Sequence, residues 1–174
     1  MNSVLSGPSS RFALPVLAAA FALVVAVPTA TAQTPVTAEA LEGVWRVTKV
    51  VSPDGTANLS PQPGLTILYR GYFTIIRDNG NGPRPQAPAP KDPANLTEAE
   101  KAALYQEWAS FGAMAGTYEI KGDTLVTRNE VAKMVQGVGR VEQAIVALQG
   151  NTFTAQAKPG EPNAGRVTTY TRVR

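Results

Sequence analysis

The chain contains no cysteine and no histidine. Without cysteine there is no disulfide, so any folded domain is held by its core and its hydrogen bonds alone. The two absences together exclude Ser-His-Asp and Cys-His nucleophilic catalysis, zinc sites built on thiolate or imidazole, and covalent haem attachment. An acid or base would have to be Glu, Asp, Lys or Tyr, each needing a substantial pKa shift to work near neutral pH. No cofactor is called for by any motif. An excess of charge of one sign is also missing, since 16 Lys plus Arg stand against 13 Asp plus Glu. No block of like charge exceeds two residues. The charge reads as a solvated surface, and it implies neither a nucleic-acid partner nor an anionic-membrane one.

The longest apolar run lies at the start. Phe12 to Val27 is 16 residues interrupted by Pro15, short of the roughly 20 that a spanning helix needs. Arg11 is the only charge before Ala30-Thr31-Ala32, a small-residue pattern of the kind cleaved by signal peptidase. Residues 1–32 are therefore expected to be a signal peptide, and 33–174 one exported domain of 142 residues, periplasmic or secreted and free of the membrane once cleaved. No twin Arg and no Cys precede the cleavage site, so neither a Tat signal nor a lipoprotein is indicated. Without Arg11 the net charge falls to +2.

Beyond the leader, short strands alternate with turn residues. The runs are Val44 to Val51, Leu65 to Tyr69, Tyr72 to Arg77, Thr117 to Lys121, Thr124 to Lys133, Arg140 to Gln149, Thr152 to Ala157 and Arg166 to Val173. Arg70-Gly71, Gly122-Asp123 and Gly150-Asn151 sit where two-residue hairpin turns belong. Eight antiparallel strands with few crossover helices predict an all-β, up-and-down barrel, which also removes exposed sheet edges. Two segments depart from the pattern. Asp78 to Pro93 holds five of the chain's 14 prolines, with Gly80 and Gly82, and reads as an extended loop. A helix follows, with Thr97 and Glu100 forming a capping box and Gly112 able to end it. Leu104, Trp108 and Phe111 fall on one face, predicting one α-helix packed on the barrel, or else a lid over its mouth.

Several stretches carry a family resemblance: Leu41-Glu42-Gly43-Val44-Trp45-Arg46-Val47, Gly64 to Tyr69 with Gly71-Tyr72-Phe73, Leu96 to Lys101, Gly116 to Ile120 with Gly122 to Val126, and the closing Tyr170-Thr171-Arg172-Val173. In order and spacing they resemble the bacterial lipocalin-like domain family, a calycin-type barrel, over the whole chain after residue 32. The hairpin at Arg70-Gly71 is shorter than the family's, and Gln143 stands where a basic residue is common. The resemblance implies a lipocalin-like barrel with a cavity and no settled activity. It also implies that Trp45 plugs the closed end with Arg172 lying across it.

Hairpin geometry then predicts the inner face, because residues flanking a two-residue turn point the same way. Leu65, Ile67, Tyr69, Tyr72, Thr74 and Ile76 are expected inside, as are Tyr118, Ile120, Leu125, Thr127, Asn129 and Val131. Val146, Leu148, Phe153 and Ala155 follow, with Glu142 and Arg140 inward unless a bulge near Gly137 or Gly139 reverses them. The candidate ligand-binding set is therefore Tyr69, Tyr72, Tyr118, Asn129, Arg140 and Glu142. An apolar interior with sparse polar groups fits a small-molecule pocket, although tyrosines can also simply fill an eight-stranded barrel. Three functions remain open. A carrier of a small apolar or aromatic molecule ranks first. An isomerase- or cyclase-type enzyme using Glu142 beside Arg140 and a Tyr ranks second, and a module that binds another exported protein through its loops third. The sequence leaves the oligomeric state open.

Overall fold

The computed structural model describes residues 35–80 and 82–173. The expected leader, residues 1–32, lies outside them. Thr37 caps a one-turn helix, α1 (Ala38–Leu41), by accepting from the Ala40 amide. Nine strands follow: β1 (Gly43–Val51), β2 (Ala57–Asn58), β3 (Gly64–Tyr69), β4 (Tyr72–Asp78), β5 (Phe111–Lys121), β6 (Thr124–Ala132), β7 (Val141–Gln149), β8 (Thr152–Ala157) and β9 (Val167–Arg172). Helix α2 (Glu98–Ala109) interrupts them between β4 and β5. Every strand pair is antiparallel, and β9 returns to pair with β1 from Trp45–Arg172 to Val51–Val167. Eight strands thereby close an up-and-down barrel, with the two-residue β2 appended to the end of β1.

The three tight turns, Arg70-Gly71, Gly122-Asp123 and Gly150-Asn151, join β3 to β4, β5 to β6 and β7 to β8. They lie at the end where β1 begins and β9 finishes. The longer connections, including 79–97, 133–140 and 158–166, all fall at the other end. Proline and backbone turns therefore collect around the open mouth, and the short hairpins around the closed base.

Register decides which side chains line the barrel. In β3 and β4 the inner-face partners are buried Thr66 with half-buried Ile75 and buried Leu68 with buried Phe73, while Gly64 faces Arg77. The alternate face, Leu65, Ile67, Tyr69, Tyr72, Thr74 and Ile76, points outward, contrary to the expectation from apolar content. Its cause is visible in the strands themselves: the inner positions near the mouth are Gly64, Thr66 and Arg77, so the more apolar side is the outer one.

A second correction comes from a β-bulge. Ala115 pairs with Val131 but Gly116 pairs with Asn129, leaving Glu130 as the extra residue. A Cβ on Gly116 would overlap the Arg128 carbonyl oxygen, so only glycine fits this crossing. The bulge keeps Asn129 inside and turns Val131 out to 67% exposure, where strict alternation placed both inside.

The helix has its capping box, Thr97 Oγ1 accepting from the Glu100 amide and Glu100 Oε2 from the Thr97 amide at 2.8 Å. It ends at Ser110, and Phe111 opens β5 opposite Asp78 instead of extending the helix. Lys133 Nζ explains the stop, since it donates to the Trp108 carbonyl and, at 2.9 Å, to that of Phe111. The helix buries no residue completely. It packs through Trp108, edge-on to Phe111 at 5.4 Å, and receives the proline-rich segment through the Ala87 amide on Glu107.

Gly43 is the position on which the base turns. Its φ of +136° disfavours any side chain, and an added Cβ would sit 2.5 Å from Arg172 Nη1. Gly43→Ala is expected to lower stability by about 1–3 kcal/mol through backbone strain and displacement of Arg172. Replacing Arg172 by Ala first should shrink that increment, as a double-mutant cycle in urea would show. Strictly additive changes would mean that the two residues do not share the site.

Candidate functional site

An aromatic column fills the closed end. Trp45 is fully buried and its indole N–H donates to the Leu41 carbonyl at 2.7 Å. Phe153 meets Trp45 edge-on at 4.7 Å, and Tyr170 stacks on Phe153 at 4.3 Å. Arg172 places its Cζ 4.1 Å from the Trp45 ring centroid. Its guanidinium also donates to the Glu42 carbonyl and, at 2.7 Å, to that of Ala40. Those carbonyls belong to the end of α1, where a cation is favoured. Tyr118 completes the seal by donating its hydroxyl to the Ala38 carbonyl at 3.3 Å, and burial, with the Glu42 charge after it, pushes its pKa up.

The open end is built differently. Here the barrel wall forms a half-open cavity of about 140 Å³ whose apolar wall is Ile75, Met114, Leu125, Ala144, Ala155 and Ala157, with Arg77, Arg166, Glu142 and Glu161 among its polar lining. Three of those six are alanines, Ala144 and Ala157 directly opposite each other on β7 and β8, so this part of the wall carries small side chains and leaves space. The cavity meets a wider mouth of about 330 Å³, lined by Val47, Val50, Asn58, Gln62, Asp78 and others. Arg77, Asn163, Arg166 and Thr168 line both. Tyr170 belongs to the cavity wall as well as to the column, which makes it the boundary between filled and open halves. No residue of α2 lines either space, so the helix does not act as a lid in this conformation.

The charges that act on Tyr170 are basic, Arg77 and Arg166, while Asp78, Glu142 and Glu161 also line the two spaces. Burial, and after it the nearby Arg77 charge, pull the Arg166 pKa down from its ordinary value. Burial pushes the Tyr170 phenol up, opposed by the positive charges of Arg77 and Arg166. Arg77 Nε is buried with no hydrogen-bond partner among the described residues. No group of His, Cys, Asp and Glu suited to holding a metal ion occurs among the described residues.

The six residues singled out from sequence do not form one site. Tyr69 and Tyr72 stand on the outer wall, 55% and 63% exposed. Tyr118 serves the closed end. Asn129 is buried, and its Nδ2 donates to the Gly137 carbonyl at 3.2 Å, anchoring the turn at Val135–Gly137. Glu142 does line the cavity, paired with Arg140 at 3.4 Å, but the two side chains are 38% and 45% exposed. That is a solvated ion pair at the mouth and differs from the inward carboxylate deep in an apolar barrel that the enzyme reading requires. Arg77, Arg166 and Tyr170 were not singled out. A signal for two of them was present, because strand alternation from Arg172 places Tyr170, Thr168 and Arg166 on the same face.

The outer wall carries a second feature. Pro63, Leu65, Ile67, Ile76 and Phe111 border a shallow apolar groove of about 480 Å³, flanked by Arg84. Arg84 reaches toward Asp78 at 3.9 Å and lies 5.2 Å from the Phe111 ring centroid.

Closed strand order, an aromatic plug under an arginine, and a cavity open at the opposite end define a lipocalin-like β-barrel. Neither a protein-family model nor a curated protein matches the chain. Among solved structures, a lipocalin-like protein from Bacteroides uniformis is similar at 12% identity and a TM-score of 0.45, over 76% of this chain and 98% of that one. An uncharacterized protein from Bacteroides eggerthii is similar at 10% identity and a TM-score of 0.45, with the same coverage of 76% and 98%. The fold assignment rests on the barrel's own closure and plug.

Two guanidinium groups of like charge at one cavity cost stability when nothing neutralises them. Arg166→Gln is therefore expected to unfold at a urea midpoint equal to or above the parent's in ligand-free protein. A loss exceeding about 1 kcal/mol would show that Arg166 holds the barrel together.

Proposed function

We propose that the protein is an exported carrier that holds one small, largely apolar molecule inside the barrel, entering through the open end. One observation supports this most: the closed half is packed with Trp45, Phe153 and Tyr170, whereas the open half is walled by Ala144, Ala155 and Ala157 around about 140 Å³. Close packing is the rule in protein interiors, and voids much larger than a water molecule are few. An engineered apolar cavity of about 150 Å³ accepts benzene. A ring-sized group therefore matches the interior, with the rest of a ligand extending into the mouth. Export rests on the Ala30-Thr31-Ala32 pattern and the apolar run before it.

A second reading has its own support. The outward apolar residues Leu65, Ile67 and Ile76 are 40–48% exposed beside the proline-rich segment, and contiguous apolar surface often marks contact with another protein. The two readings place binding on opposite sides of the same sheet.

Titration with the neutral, environment-sensitive dye N-phenyl-naphthylamine separates them. Binding at about one dye per chain is expected. Ala155→Trp should fill the interior and abolish the signal, while Ile67→Lys on the outer wall should leave it unchanged. The opposite pattern would move the site outside the barrel, and a folded parent that binds no dye would remove the carrier reading.

A further inference from the structure

The stem of Arg77 is seated in a slot made for it. On the inner face its two cross-strand neighbours are Gly64 on β3 and Gly112 on β5. A Cβ on Gly64 would come within 2.9 Å of Arg77 Cβ, and one on Gly112 within 3.6 Å of Arg77 Cγ. Glycine weakens a strand interior, and its presence often marks a close approach. Two of them flanking one arginine put that side chain across the barrel where a smaller residue would have packed more simply.

Among the described residues, the head group that this slot positions makes no ion pair. Arg77 Nε is buried and unpartnered. Among the described residues, neither Arg77 nor Arg166 enters an ion pair, although Arg84, Arg140, Lys101 and Lys121 all do. Two of the three carboxylates lining these spaces face other arginines. Asp78 faces Arg84 and Glu142 faces Arg140. Glu161 lines the cavity from the β8–β9 connection without reaching an ion-pair distance to either arginine. Two half-buried cations thus line the rim between the interior and the mouth. A guanidinium offers five N–H donors in a planar fork suited to an oxyanion. Thr168 stands beside both, and Tyr170 brings a hydroxyl to the same wall.

We propose that Arg77 and Arg166 form an anion subsite, so that the molecule carried is an amphipathic organic anion: a ring-sized apolar group in the interior and a carboxylate or other oxyanion between the two guanidinium groups. This rests on the carrier reading above and specifies its ligand class. The ligand supplies the ion-pair partner that these two arginines lack among the described residues. Its apolar part enters first, because the deep wall is alanine, isoleucine, leucine and methionine.

The test compares two dyes with one aromatic frame, anilinonaphthalene sulfonate and the neutral N-phenyl-naphthylamine, on the whole exported chain. The sulfonate should bind roughly tenfold tighter, the difference that one charge-assisted hydrogen bond supplies, and added salt should erode that advantage. Arg166 lines the mouth and interior but not the outer groove, which makes it the informative position. Arg166→Gln should weaken the sulfonate roughly tenfold while leaving the neutral dye within about twofold, and Arg166→Lys should restore part of the loss. Urea midpoints confirm that each variant is folded. If the neutral dye binds and the sulfonate binds no tighter, or if Arg166→Gln weakens both equally, the anion subsite is overturned and the carrier reading stands. If the folded parent binds neither dye, both fall.

Discussion

The barrel depends on the contact between Arg172 and Trp45. A cation over an indole face contributes about 0.5–2 kcal/mol according to its desolvation, and this cation also takes the carbonyls of Ala40 and Glu42. It joins three things that the chain brings from far apart: the last strand, the first strand and the short helix before it. The pairing of β1 with β9 is the step that closes the sheet, and Arg172 sits at its base. In a chain without disulfides, that closure has to come from packing and hydrogen bonds. Gly43 is the concession that makes it possible, giving up a side chain so that the guanidinium can lie flat.

Sealing one end leaves the other free. The two-residue turns and the aromatic column occupy the base, where Trp45, Phe153 and Tyr170 are buried against one another. Toward the mouth the aromatic rings give way to smaller apolar side chains and then to charged and polar ones, Arg77 and Arg166 among them, and packing gives way to space. Natural proteins break local rules where they function, at a cost in stability recovered elsewhere. Two arginines at one cavity, neither in an ion pair among the described residues, are such a break, and the packed base is what tolerates it.

Much of the architecture was legible in the residues. Eight strands, three hairpins and the Thr97 capping box lie close to their expected places because Gly, Asn and Asp at turns and Thr-x-x-Glu at a helix start act locally. The inner face of β3 and β4 was not legible. Apolar content predicts Leu65, Ile67 and Ile76 inside, but their strands turn that side to the groove beside Arg84 and Phe111 and reserve the interior for Gly64, Thr66 and Arg77. The rule that apolar residues face inward fails here because this part of the interior lines a polar-rimmed cavity. Tyr69 and Tyr72 were drawn into the candidate site by the same rule. Val131 was misplaced for another reason, a bulge at Gly116 that is set by partner strands and has no signature in β6 itself. Phe111 left the helix because Lys133, 22 residues away, takes the carbonyls there.

The central claim is that the open half of the barrel holds an organic anion against Arg77 and Arg166. Native mass spectrometry of the full chain purified from its own host tests it most directly, followed by release and identification of any retained molecule. The account predicts one retained molecule per barrel, carrying an acidic group and a ring-sized apolar part, and lost from an Arg77→Met, Arg166→Gln double variant that remains folded. A retained molecule with no acidic group, or one held equally well by the double variant, would contradict it.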